Sequence, residues 1–357
     1  MKLSLCTSAV AFLALAACGG DAPPPDTTGD GATTTAATGP GADGPLGAVP
    51  VPADNPLTDA KIALGHQLFF EPRLSVDGSR SCYSCHLNED GNGGGDRLAV
   101  GAGDVQLTRH SPVIWNVGYF TRFYWEGRAG SLEAQALAAW GGGNMGVGAD
   151  NLDAKAAEIG QIPGYAEAFA AAFPDRGATA ETVAQAISAY ERTLVCDDTR
   201  YDRFQAGQTD AMNAQEQRGM GLFMGKGGCV TCHTPPLFTT QAMAAEGIYY
   251  NVGIGIEGVP EDQVDVGRQS VSERPEDWAA FKVPSLRNVA RSAPYLHNGS
   301  VDELEEVVRF MGGGGFPNRN LTPMLIDRAL TDTEVADLTA FLGSLSCGDL
   351  EQPTLPS

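Results

Sequence analysis

Apolar residues recur along most of this chain with the period of an α-helix, and no stretch alternates as a half-buried strand does, so the pattern predicts a mainly α fold. Thr58 stands before "DAKIALGHQLFF" and Ser131 before "LEAQALAAW", each a hydroxyl placed to cap a helix. Thr179 opens a segment in which Val183, Ile187, Tyr190 and Leu194 share one face. Asn213 with Glu216 and Thr331 with Glu334 have capping-box spacing, and the second puts Val335, Leu338, Leu342 and Leu345 inward. Ser300 with Glu303 has the same spacing, ahead of Leu304, Val307, Val308 and Met311 at i, i+3, i+4 and i+7. By pattern alone Met311 is a flexible core residue. Glycine-punctuated loops run from Leu87 to Thr108 and from Phe238 to Ala280, a length that predicts wrapping or function.

The pattern also repeats. A helix ending at Leu68 to Phe70 precedes "SCYSCH", and another ending in "LFMGKGG" precedes "CVTCH". Two tandem modules follow, residues 51–205 and 206–357. Ahead of them, "MKLSLCTSAVAFLALAACGG" has one lysine, a short apolar run and then "LAAC", the layout of a bacterial lipoprotein signal over 1–17 with Cys18 as lipid acceptor. The run is too short to span a bilayer in the ordinary way. Residues 18–50 are Gly, Ala, Thr, Pro and Asp with almost no large apolar residue, which reads as a disordered tether. The expected location is the periplasm or cell envelope, with the membrane reached through the lipid anchor only. A net charge of −21 argues against nucleic acid and favours cationic partners.

Cys82-Tyr83-Ser84-Cys85-His86 and Cys229-Val230-Thr231-Cys232-His233 decide the chemistry. Both are C-x-x-C-H, the c-type haem attachment signature, in which two thiols bond the haem edge and the next imidazole falls beneath the iron. A zinc site or a thioredoxin-like pair accounts for the cysteines and leaves the adjacent histidine, twice, unexplained. Two haems have four axial positions. His86 and His233 fill two; an iron with both positions filled carries electrons, and one with an open position binds peroxide or oxygen.

Around these motifs the chain resembles the bacterial dihaem cytochrome c peroxidase family, which includes the MauG-type protein-oxidising enzymes. The resemblance covers about Asp54 to Leu345 and rests on "ALGHQLFFEPRLSVDGSRSCYSCH", "RHSPVIWN", "FYWEGRAGSLEAQAL", "GLFMGKGGCVTCHTPPLFT" and "FKVPSLRNVARSAPYLHNGSVDELEEVVRFM". It implies two c-type haem domains, two covalently bound haem c groups and an electron path between them. It places Met311 as ligand of the C-terminal haem, where the MauG-type branch has tyrosine. Trp125 falls between the haems and Gln135 in the peroxide pocket. The implied activity is reduction of hydrogen peroxide with electrons from a small cytochrome c or copper protein. The alternatives are MauG-like oxidation of a partner protein and electron transfer without catalysis; a homodimer is left open.

Three positions depart from the family. Where many peroxidases carry a histidine that caps the N-terminal iron, "RLAVGAGDVQ" has Ala102, which implies an open or water-filled sixth position. His110 stands where the family has an asparagine that helps bind calcium, and calcium prefers oxygen ligands. His110 therefore reads as a hydrogen-bonding loop residue. Asn144 replaces a glutamate that would move the proton during peroxide cleavage; asparagine is no acid at neutral pH. Glu126, Glu133, Asp150 or a water held by Gln135 and Asn144 are the available substitutes. His66 reads as a packed or surface residue and His297 as structural or propionate-contacting. Cys196 and Cys347 remain, and an exported chain with an even remainder suggests a disulfide.

Overall fold

The computed structural model describes residues 40–357, so the signal sequence, Cys18 and most of the expected tether lie outside the described residues. The described part is mainly helical. Its helices are α1 (Asp59–Phe69), α2 (Leu132–Gly141), α3 (Leu152–Gly160), α4 (Pro163–Ala172), α5 (Ala180–Glu191), α6 (Arg200–Gln205), α7 (Ala214–Met224), α8 (Gln269–Ser272), α9 (Leu304–Gly312) and α10 (Asp332–Gly343). Among the described residues the sheet is two short antiparallel strands, β1 (Tyr249–Tyr250) and β2 (Phe281–Lys282), with Tyr249 opposite Lys282. No described helix is long and apolar enough to cross a membrane.

The caps form as the sequence dictates. Thr58 accepts from the Lys61 N–H, Ser131 from Ala134, and reciprocal capping boxes close at Thr179, Asn213 and Thr331. One cap does not. The Ser300–Glu303 box is replaced by a helix that starts at Leu304 with no side-chain cap, because Val301 is still extended: its carbonyl accepts from the Tyr295 N–H at 2.7 Å. The periodicity passed over α3 and α4, whose alanine-rich sequences offer little apolar contrast although alanine is the best helix former. The tether also ends early. Val49 is buried and Tyr119 donates to the Gly47 carbonyl, so the chain is packed from about Pro40 and not from Pro50.

Two hydrophobic clusters organise the helices. The first holds Leu64, Leu68 and Phe69 of α1 with Val183, Ile187 and Tyr190 of α5, and takes in Trp140 and Phe169. The second holds Phe223 of α7 with Leu338, Phe341 and Leu342 of α10, joined by Tyr201 and Phe238. In each, the helix preceding a C-x-x-C-H motif lies against a long helix late in the same half, and a glycine marks the contact. A Cβ on Gly65 would stand 1.8 Å from the Ala186 carbonyl oxygen, and one on Gly219 would stand 1.9 Å from that of Asp337. Arg287, fully buried, bonds both Asp202 oxygens at 2.7 and 2.8 Å and tethers α6 to the segment after the second motif. Cys196 and Cys347 form a disulfide that brings the C-terminal strand of chain back to the first cluster, where Leu350 and Leu355 pack.

Gly65→Ala and Gly219→Ala each force two helix backbones apart, so each is expected to cost about 1–3 kcal/mol or more, the range for overpacking a tight contact. Denaturant midpoints measure this. A midpoint unmoved by either substitution would contradict the close approach.

Candidate functional site

Each C-x-x-C-H motif begins in one short 3-10 turn, Tyr83–Cys85 and Cys229–Thr231, with its histidine just beyond. The four cysteines are free thiols, not paired within their motifs. Burial pushes the Cys229 thiol up to about 11 and raises Cys82 and Cys85 as well, which keeps them protonated and unlike thioredoxin thiols. His86 Nδ1 lies 3.2 Å from the Asn92 carbonyl oxygen, and His233 Nδ1 lies 3.1 Å from that of Phe238. A carbonyl only accepts, so Nδ1 carries the proton and Nε2 keeps its lone pair for a metal. Burial lowers both imidazoles to about 4, so both are neutral at pH 7. Both histidines nevertheless keep part of their surface accessible. A neutral imidazole with Nε2 unused, beside two unpaired thiols, fits covalent haem at both motifs.

Asn92 organises the first site and escaped the sequence reading. It is fully buried with φ at +63°, in the region that asparagine tolerates and most residues avoid. Its Oδ1 accepts from the Trp115 indole at 2.9 Å, and its Nδ2 reaches the His86 carbonyl and Asn88. The legible signal was its place in "EDGNGGG", an Asn-Gly turn directly after the motif.

The structure places Trp125 between the two halves. Its indole N–H donates to the His110 carbonyl at 2.7 Å, its carbonyl accepts from the Lys282 N–H at 2.7 Å, and its ring meets His297 edge-on at 6.3 Å. His297 in turn stacks on Phe281 at 3.7 Å, and its carbonyl accepts from the His110 N–H. Arg109 bonds both Asp265 oxygens and pairs with Glu126, binding the loop after residue 238 to the first half. Gln135 lies half-buried on α2, where its carbonyl accepts from the Tyr124 hydroxyl at 3.2 Å, linking it to the neighbour of Trp125. Asn144 sits beyond the other end of α2, and its carbonyl accepts from Ala102 at 3.0 Å. Buried Ala102 is thereby pinned in a loop with no histidine between Arg97 and Gln106. His110 is buried with Nδ1 3.0 Å from the Asp96 carbonyl, a loop contact.

Met311 is half-buried near the end of α9. Leu304, Val307 and Val308 pack in the second cluster, and Met311, next on the same face, stands outside it.

The carboxylates suggested as substitute proton donors are otherwise engaged or lie exposed on the surface. Glu126 is taken by Arg109 and Arg128; Arg192 and Asn55 hold Glu133, whose pKa falls, against desolvation, mainly through these bonds; Asp150 is exposed. Glu191 on α5 is different. It is buried, its Oε2 has no partner, and desolvation lifts its pKa to about 8, with Arg192 opposing and Glu133 adding to the rise. A carboxyl raised on folding binds its proton more tightly in the folded state, so stability is full below the unfolded carboxylate range near 4.5 and is lost as pH rises toward 8. Glu191→Gln should flatten the fall in stability between pH 5 and 8, read from unfolding midpoints; an unchanged slope would place the ionisation elsewhere. Asn92→Ala should cost about 1–3 kcal/mol from the stranded Trp115 and His86 groups, measured by the same unfolding.

Residues 59–210 match the family model described as di-haem cytochrome c peroxidase. The chain is 39% identical to cytochrome-c peroxidase IdrP1 of Denitromonas iodatirespirans over 337 residues, 88% of this chain and 89% of that one. It is 36% identical to the methylamine utilization protein MauG of Methylorubrum extorquens, covering 86% of this chain and 85% of that one. A crystal structure of a MauG-like protein associated with microbial copper homeostasis superposes with a TM-score of 0.77 at 33% identity, over 83% of this chain and 92% of that one. With paired attachment motifs, neutral imidazoles and this similarity along nearly the whole chain, the protein belongs to the dihaem cytochrome c peroxidase family, oxidoreductases of the peroxidase type that bind two haem c groups.

Proposed function

We propose that the chain is a lipid-anchored peroxidase of the cell envelope that reduces hydrogen peroxide to water with electrons from a small cytochrome c or copper protein. Residues 51–205 form the peroxide-side haem domain and 206–357 the electron-entry domain, with long loops between helices. Cys82 and Cys85, and Cys229 and Cys232, would hold the two haems; His86 and His233 would each ligate one iron, and Met311 would complete the second. When bound, the haems supply irons that pass single electrons and, at an open position, bind peroxide.

The protein's own groups do the rest. Trp125 bridges the halves through its indole bond to His110 and its ring contact with His297, a rigid aromatic placed for electron passage. Gln135 and Asn144 hold the peroxide or a water by hydrogen bonds. Neither is an acid, so proton delivery depends on solvent and turnover is slow relative to a glutamate-bearing site. The reaction consumes two electrons and two protons for each peroxide and releases two waters. Acidity suits a cationic donor protein, and Cys18 would carry the lipid.

The observation that carries this reading is Met311, standing clear of the core that takes its helical neighbours. A second reading, oxidation of a partner protein, is favoured by the MauG likeness and opposed by methionine at this position.

Three outcomes test it. Reduced cytochrome c should be oxidised on addition of peroxide, and a stable peroxide-oxidised spectrum without turnover would favour the second reading instead. Met311→Ala should remove the thioether-to-iron charge-transfer band and lower that haem's potential; an unchanged spectrum returns Met311 to a packing role. Asn144→Glu should raise kcat by roughly 10-fold or more, within the range a positioned acid supplies.

A further inference from the structure

A groove of about 420 Å³ lies between α1, the end of α5 and the returning C-terminal strand of chain. Its walls include Trp115, Tyr190 and His66, and its rim carries Asp59, Asp349 and Glu351. Among the described residues, no lysine or arginine lines it. Arg291 neutralises Asp349, which leaves Asp59 and Glu351 as exposed negative charges at the rim. The strand that closes the groove is fixed by the Cys196–Cys347 disulfide, by His66 Nε2 2.7 Å from the Glu351 carbonyl, and by Asn88 donating to the Leu350 carbonyl at 2.9 Å.

The wall runs inward to the first haem motif. His66 stacks on Tyr190 with centroids 4.7 Å apart and planes 16° from parallel. Tyr190 meets Phe69 at 5.4 Å, and Phe69 meets His86 at 6.4 Å. Trp115, on the same wall, bonds Asn92, whose carbonyl faces His86 Nδ1. Two ring contacts therefore separate the groove's tyrosine from the proximal imidazole, with no solvent layer needed between them.

We infer that this groove binds a small electron-rich aromatic carrying a positive charge, a phenol with an ammonium group, and takes electrons from it through Tyr190 and Phe69 to the His86 side. This is a second electron entry, independent of Met311, and it rests on the peroxidase reading above. The acidic rim pairs the ammonium, and the aromatic wall takes the ring. Each phenol gives one electron and releases its hydroxyl proton to solvent through the open groove. Two phenols and one hydrogen peroxide give two phenoxyl radicals and two waters. Burial, with Glu191 and Glu351 nearby, raises the Tyr190 pKa, so this tyrosine enters the relay as the phenol: it loses its hydroxyl proton to the groove water as it passes an electron inward, and regains one from that water when the bound phenol reduces it.

Tyramine and 4-hydroxyphenylacetate, the same phenol with opposite charges, test the groove on the holoprotein. Equilibrium dialysis without peroxide should show tyramine bound at least 10-fold more tightly, and Asp59→Asn with Glu351→Gln should erase the preference. With peroxide, tyramine should be consumed and freeze-quench EPR should show a tyrosyl signal. Tyr190→Phe, close to isosteric, should remove that signal and lower tyramine kcat/KM at least 10-fold, with cytochrome c oxidation followed in parallel. Equal affinity for the two phenols, or unchanged tyramine turnover in Tyr190→Phe, overturns the route. Turnover with cytochrome c but no tyramine binding overturns it and leaves the peroxidase reading standing. Failure with both donors overturns that reading and this route together.

Discussion

The fold turns on two places where helix backbones touch. At Gly65 and at Gly219 there is no room for a Cβ, so α1 lies directly on α5 and α7 directly on α10. Because the C-x-x-C-H turns follow α1 and α7 closely in sequence, the depth of those helices sets the depth of both motifs. A wider spacing would lift the histidines toward solvent, where an imidazole is protonated more readily and is a poorer ligand.

From that placement the electrostatics follow. His86 and His233 are neutral because they are buried, and their tautomer is set by a carbonyl delivered by the next turn of chain. The two carbonyls come from different solutions. Asn92 is a polar hub in a glycine-rich loop, whereas Phe238 is a core aromatic of the second cluster. The repeat is thus one of helices and motifs, with separate supports beneath each imidazole. Between the halves, Trp125 is held at both ends by backbone bonds, and Arg109 gathers Glu126 and Asp265 around it. Both oxygens of Glu126 are taken by arginines, which is why it makes a poor substitute for a missing acid, while burial pushes the unpaired Glu191 carboxyl up to about 8.

The paired C-x-x-C-H motifs, the helical class and most caps were legible from the sequence, because each depends on residues a few positions apart. Spacing of two between thiols, three between cap and acceptor, and three or four along a face are local constraints, and they hold at all but one of the predicted caps. Ser300 shows the limit. Its spacing to Glu303 was right, and a bridge between Val301 and Tyr295 held the chain extended past it.

What only the tertiary structure decided is what distant segments do to one another. Glu191 looks like any helical glutamate until α5 is buried with no cation at its Oε2. Val49 belongs to a stretch that composition marks as a tether, yet burial of that one side chain packs it. Tyr190 had the spacing of a core residue, and it is one, but the chain's last residues return 160 positions later to build a charged groove over it. Local periodicity records which face of a helix is buried; it carries no record of which remote residues, or which charges, complete the wall.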